Sequence, residues 1–392
     1  MKKKYLIIII ISLIIFFEPQ LFKEENVQFA SKIDMVYKML KLISTGCIIY
    51  IYMMELKKVS KLVIFKFLIQ AIFFISTIIN NGDIIRLLGP SITTITMAMI
   101  GELIIKKGAI IPVLKTINKY FLFCYIINLI SIILIDFTNF RNITNVYFLG
   151  IDNRFIFTFL PWIFCEGIVS YMENKKFTKK FYIVLILIEI ILIYKLSLSA
   201  MFCTMLFFMV SVKKIRLEKY NKITFFIIIL LNLLLVLFNV TSKFSNILSI
   251  MNRDVTLSGR TFLWKATTES IKENLFIGSG MKSVASDKLF FYNSTAPYYF
   301  DFCKVTHPHN LFLSIAYRGG LISLSIFLII VYRCLKKIKL NIKNPVSKLL
   351  YISIIVIMIL SLFDTLDFAG LYFIFAFCWF IEFYCKRGIT ND

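Results

Sequence analysis

Runs of about twenty apolar residues recur along the whole chain, separated by short polar breaks. An α-helix needs about 20 such residues to cross the hydrocarbon of a bilayer, so each run predicts a transmembrane helix. Twelve spans follow, near 5–22, 35–56, 62–79, 87–105, 120–136, 155–172, 181–194, 196–212, 223–240, 311–332, 349–363 and 368–385. The second carries Lys38 and Lys41 in its outer third, and the short seventh and eighth, joined at Lys195, can be read as one re-entrant unit. One long polar stretch, residues 241–310, interrupts the pattern. The expected fold is all-α integral membrane. Residues 1–240 carry helices 1–9, residues 241–310 form a loop with short amphipathic helices, and residues 311–392 carry helices 10–12 and a short tail.

Composition agrees. Of 392 residues 59% are hydrophobic, against about 45–50% in soluble domains. The formal charge of +23 at pH 7 would suit a nucleic-acid partner, but only if the basic residues gathered on one folded surface. Here they fall in clusters between apolar runs: Lys2–Lys4, Lys57–Lys61, Lys106–Lys119, Lys175–Lys180, Lys213–Arg216 and Arg333–Lys348. Counted over twelve spans, every cluster lands on one side, as the positive-inside rule requires. Nucleic acid is excluded on that distribution. Both termini are then expected in the cytoplasm, and the 241–310 loop outside the plasma membrane. Glu18-Pro19-Gln20 after the first apolar run is not a small-residue cleavage site, so that run is read as an uncleaved helix.

Candidate chemistry concentrates in and around the loop. Ser258-Gly259-Arg260 opens a segment in which Phe262, Leu263, Ala266, Ser270 and Ile271 recur at helical spacing, apt to lie against the membrane or the bundle. Arg260 in its first turn suits a bound anion; the alternative is an ordinary surface arginine or one paired with Asp254. Gly278-Ser279-Gly280 reads as a helix stop and turn. Both histidines of the chain, His307 and His309, precede the tenth span. There His309 can serve as a base or hydrogen-bond donor near neutral pH, or simply cap the helix. Arg318, three turns on in the same helix, needs an anionic partner from protein or ligand. Arg154 stands at the outer end of the sixth span. Glu166 and Glu189 lie within spans, as proton relays or as partners for Arg318, and Asp364 and Asp367 bracket the last external turn. The 8 cysteines show no spacing for a metal and read as small apolar filler.

Together these features resemble the O-antigen polymerase and ligase family. The resemblance rests on many helices with one large external loop, Arg260 followed four positions on by Trp264, the glycine pair ending in Gly280, and His309-Asn310 at a helix start with Gly320 beyond. Gly150–Arg154, including Asn153, resembles the family's external Asn/Arg-bearing stretch. Trp264 stands where the family pattern has a leucine. The resemblance implies an enzyme acting on undecaprenyl-diphosphate-linked oligosaccharide at the outer face of a bacterial plasma membrane, in capsule, exopolysaccharide or O-antigen synthesis. It implies that Arg154, Arg260 and Arg318 bind the diphosphate and that His309, or His307, handles the acceptor hydroxyl. Asn153, Trp264, Gly280, Asn310 and Gly320 support them. No cofactor or metal is implied, and the pathway's flippase and chain-length regulator are implied partners. A polymerase is the leading expectation and a ligase the same-class variant. A transporter or glycolipid flippase would show paired repeats and substrate residues near mid-membrane, neither of which stands out in the sequence.

Overall fold

The computed structural model describes residues 1–23, 30–137, 146–212, 221–238, 260–282, 308–341, 345–365 and 368–383. Among them lie α1 (Lys3–Phe16), α2 (Ala30–Leu56), α3 (Lys61–Ile79), α4 (Ile84–Lys106), α5 (Ile110–Asp136), α6 (Ile156–Asn174) and α7 (Lys179–Tyr194). They continue with α8 (Leu198–Val212), α9 (Asn221–Phe238), α10 (Arg260–Glu273), α11 (Leu311–Leu340), α12 (Pro345–Leu360) and α13 (Ala369–Trp379). The described residues form no strand beyond one isolated bridge, Tyr147 to Gly150. Six helices are long and apolar enough to cross a bilayer (most of α2, then α3, α4, α5, α6 and α11), and α8, α9, α12 and α13 are shorter and apolar.

The outer faces of the helices are apolar too. Leu42, Phe67, Ile75, Phe123, Ile133, Ile186 and Phe226 are all exposed. A surface this apolar is one that lipid covers. At the centre α13 is buried at every position from Ala369 to Trp379. It packs against α4, α6, α11 and α12, while α3 wedges between α4 and α11.

Several expected spans come out differently, the tenth running on to Leu340. The first stops at Phe16 rather than near 22, because Pro19 disfavours helical backbone in the residue before it and a 3₁₀ turn follows at Gln20–Lys23. The fifth extends back to Ile110, ten residues before its apolar run. Short connections bearing Lys57, Lys107 and Lys175 join α2 to α3, α4 to α5 and α6 to α7, while Met281 meets the far end of α3, at Thr77.

Several charged side chains within or beside the helices are paired inside the protein. Lys41 reaches Glu18 at 2.5 Å, and Lys23 meets the same carboxylate at 2.9 Å. Glu102 accepts from Tyr52 at 2.6 Å and pairs with Lys106 at 2.5 Å. Glu166 accepts from Asn118 at 2.8 Å and Lys180 at 2.9 Å, and Glu189 accepts from Thr204. Neither carboxylate is thus the partner expected for Arg318. Lys195 is no exposed joint between short spans. It is a buried ammonium bonded to Asp136 and the Tyr147 hydroxyl.

Candidate functional site

The site is organised by a break in α11. Gly319 (φ −138°, ψ 18°) and Gly320 (φ 63°, ψ −169°) leave helical geometry in the middle of the helix. Gly320 sits in a backbone region that only glycine enters without strain. In an unbroken helix the amides of Leu321 and Ile322 would donate to the carbonyls of Tyr317 and Arg318. Here they donate to Leu275 O (2.9 Å) and Phe276 O (3.4 Å) instead. The carbonyls they abandon accept from Ser279 N (2.6 Å) and Gly280 N (3.2 Å). Two helical bonds have been exchanged for four across the chain, so the break leaves these backbone groups satisfied.

Gly278-Ser279-Gly280 is accordingly more than the helix stop its sequence suggests; it is the plug of the break. A Cβ on Gly278 would stand 2.5 Å from Gly320 N, and one on Gly320 only 2.1 Å from the Phe276 carbonyl. The plug is tied to the end of α3. Ser76 Oγ and Asn80 Nδ2 donate to Gly278 O at 2.8 and 3.1 Å, and Met281 N donates to Thr77 Oγ1 at 2.9 Å.

Ahead of the break, residues 308–311 are fastened at successive positions. Trp264 Nε1 donates to Pro308 O at 2.9 Å, from a ring that is fully buried. Asn310, also fully buried, accepts from Leu313 N at 3.0 Å and so caps α11. Its Nδ2 donates to Asn232 Oδ1 (2.7 Å) on α9 and to Leu362 O (3.1 Å). Leu311 N donates to Ser361 O at 2.9 Å. Between these anchors His309 takes φ +47°, a left-handed conformation uncommon for a side chain other than glycine. Asn310, not His309, is the cap, which removes the bland alternative for the histidine. His309 Nδ1 instead faces Asp364 Oδ1 at 3.6 Å, with both side chains about three-quarters buried. Asp364 is held in turn by Thr365 N, which donates to its Oδ1 at 2.7 Å.

The three arginines stand on three different elements. Arg260 begins α10, one turn before Trp264. That helix buries Leu263, Trp264, Ala266 and Ile271 against Leu313, Ala316 and Tyr317, so it lies on the bundle. Arg154 closes the 3₁₀ turn Asp152–Arg154 at the start of α6. Phe157, one turn further, stacks on Phe368 at 4.8 Å and joins that end of α6 to the segment following Asp364. Arg318 is 9% exposed and lines a cavity under the N-terminal half of α11, together with Lys66, Gln70, Ser314 and Thr365. His307, Ser258, Gly259, Asp254 and Asp367 lie outside the described residues, as does the side chain of Asn153.

Sequence reasoning passed over Lys66. Its signal was present, a single lysine inside the apolar run Leu62–Ile79, where an ionisable residue marks a functional position by default. Asp364 was noticed only as a residue flanking a turn, because its approach to His309 joins positions 55 residues apart. Among the described residues, no group of three His, Cys, Asp or Glu side chains could hold a metal ion.

The sequence model of the family described as O-antigen ligase matches residues 181–328, a little over a third of the chain. The match runs from α7 to beyond the break in α11 and takes in Arg260, Trp264, Gly278–Gly280, His309 and Gly320. Comparison with curated proteins and with solved structures finds no match. Over residues 181–328 the chain is thus similar to the family described as O-antigen ligase.

Proposed function

We propose that the chain is a membrane glycan polymerase. It moves an oligosaccharide from undecaprenyl diphosphate onto the acceptor sugar of another lipid-linked repeat unit, at the outer face of a bacterial plasma membrane. The observation that carries this reading is the holding of His309. Its backbone is strained by about 1–3 kcal/mol, its neighbours are fixed at four points, and its imidazole faces Asp364 at 3.6 Å. Strain of that kind persists where the surroundings over-determine it, and it clusters at functional sites.

In the reaction the acceptor hydroxyl attacks the anomeric carbon while the bond to the diphosphate oxygen breaks. His309, through its Nε2, takes the hydroxyl proton. Asp364, its Oδ1 3.6 Å from Nδ1, stabilises by its charge the imidazolium that forms, the role a carboxylate plays behind a catalytic histidine. The electron pair leaves with the lipid diphosphate, and Arg260, Arg154 and Arg318 take up its charge. A displacement of this kind inverts the anomeric centre. The basic turns at one end of the bundle support a cytoplasmic position for that end and an outer position for His309. A flippase that delivers the lipid-linked unit and a chain-length regulator are the expected pathway partners.

Two other readings have an observation each. The matched family is described as a ligase, which favours transfer of finished glycan to a different acceptor. The buried Lys66 and Arg318 favour a transporter with a mid-membrane site. One assay separates all three: purified protein in liposomes with a single lipid-linked repeat unit. A ladder of lengths that disappears in His309→Ala supports the polymerase. Transfer only when a second acceptor is added supports the ligase, and movement of the unit across the bilayer without elongation supports the transporter.

A further inference from the structure

Lys195 follows the last turn of α7, and its side chain is only 8% exposed. Its ammonium bonds to the Asp136 carboxylate at the end of α5 and to the Tyr147 hydroxyl, and it lies 3.9 Å from the centroid of the Tyr147 ring. Asp136 accepts in addition from the Tyr147 hydroxyl at 2.5 Å and from the Tyr194 hydroxyl at 3.0 Å. The end of α5, the turn at 147 and the end of α7 are thereby tied at one point. A buried ion pair is seldom needed for stability, since apolar side chains of the same volume commonly hold a fold as well. What such a knot adds here is a fixed geometry.

The geometry belongs to residues 147–154. Tyr147 and Gly150 exchange backbone hydrogen bonds at 3.0 and 2.8 Å. Between them Phe148 N donates to Ser131 Oγ at 3.0 Å and Leu149 N to Asn128 Oδ1 at 2.9 Å, both on α5. Arg154 N donates to Ile151 O at 2.8 Å. Gly150, at φ +95°, lies under the Arg154 side chain: a Cβ there would stand 3.4 Å from Arg154 Cβ and 3.6 Å from its Cδ. The path from Lys195 to the arginine is therefore one side-chain hydroxyl, one backbone bridge and one packed glycine. We propose that Lys195 is a positioning residue for Arg154: with Asp136 it pins Tyr147, and the pinned turn sets where the guanidinium stands. This rests on the role given to Arg154 above. Lys195 belongs to the matched segment 181–328 and Arg154 precedes it, so the knot ties that segment to an arginine outside it.

The test uses the whole protein in phosphatidylcholine nanodiscs, with farnesyl diphosphate as the probe. Arg154→Ala should weaken its binding by about tenfold or more, the loss for a charge-assisted hydrogen bond. Lys195→Met should weaken it by about tenfold, and Tyr147→Phe, which keeps the ring and removes the pinned hydroxyl, by about threefold to tenfold. Lys115→Ala, which removes an exposed ion-paired lysine, should change nothing. Adding Lys195→Met or Tyr147→Phe to Arg154→Ala should cost no further affinity, because a residue that acts through Arg154 then has nothing left to place. A merely structural role would weaken binding alike with or without Arg154. Losses that add, or wild-type affinity in Lys195→Met, overturn the proposal. Where Lys195→Met fails to insert, Tyr147→Phe is read in its place. Wild-type affinity in Arg154→Ala leaves Lys195 nothing to position and also overturns it. The transferase reading is scored apart, by glycan elongation in His309→Ala. It can fail while the coupling of Lys195 to Arg154 stands, and the coupling can fail while elongation still depends on His309.

Discussion

Gly320 and Phe276 touch backbone to backbone, 44 residues apart in sequence, so closely that a methyl group on Gly320 would lie 2.1 Å from the Phe276 carbonyl. This contact closes the break in α11 and holds the 275–281 plug against the end of α3. Gly320→Ala meets both that clash and a positive φ of 63°. The expected loss is about 3 kcal/mol or more, read as a lower thermal midpoint in detergent. Gly89→Ala is the control. That helical glycine has nothing within 4 Å of its Cβ position, and alanine there should stabilise by about 0.5–1 kcal/mol.

His309→Ala should leave the thermal midpoint within a degree or two, because the fastening bonds belong to Trp264, Asn310 and Leu311. Transfer should fall about 10²–10⁴-fold, the usual contribution of a general base. Asp364→Asn, which cannot stabilise an imidazolium, should lower transfer about tenfold or more. A rate for Asp364→Asn equal to wild type would remove the carboxylate from the mechanism.

Asn310→Ala removes a helix cap and two buried donations at once. The cap contributes about 1 kcal/mol, and each acceptor left without its donor costs about 1–3 kcal/mol. A destabilisation of about 3–7 kcal/mol is expected in equilibrium unfolding. Asn310→Asp keeps the cap acceptor but loses both donations, so it should rescue little.

Burial by itself would raise the Glu18 carboxyl, but the ammonium groups of Lys23 and Lys41 outweigh it and hold the group below the usual carboxylate range. A carboxyl lowered in the folded state stabilises above its unfolded pKa, and that stability is lost as pH falls through the folded pKa. Thermal midpoints should therefore hold from neutral pH down to about 4.5 and then drop as acid is added. Glu18→Gln should flatten that drop and lower the midpoint at neutral pH. An identical acid profile in the variant would show the pairs to be without thermodynamic weight.

That the chain is a series of apolar helices was legible because period and length of an apolar run carry the information a bilayer demands. The amphipathic helix after Ser258 was legible for the same reason. The apolar stripe of Leu263, Ala266 and Ile271 is local, and a local pattern needs no partner to be recognised. The Gly278-Ser279-Gly280 plug was not legible. Two glycines after a helix look alike whether they end it or enter another helix 40 residues later, and only Gly320 in three dimensions tells the cases apart. His309 was found as a residue but not as a geometry.

By itself, then, the amino-acid order determined that this chain is a stack of apolar helices with its polar chemistry in and beside one long interruption. Hydrophobic burial and the need to satisfy every backbone amide in lipid act residue by residue, and they leave a pattern that can be read in one dimension. Tertiary structure alone decided that Trp264 grips Pro308, that Asp364 stands behind His309, and that Lys66 shares a cavity with Arg318. Each of those pairings depends on how helices lean and break. That is set by close packing among many side chains at once, and no single stretch of the chain encodes it.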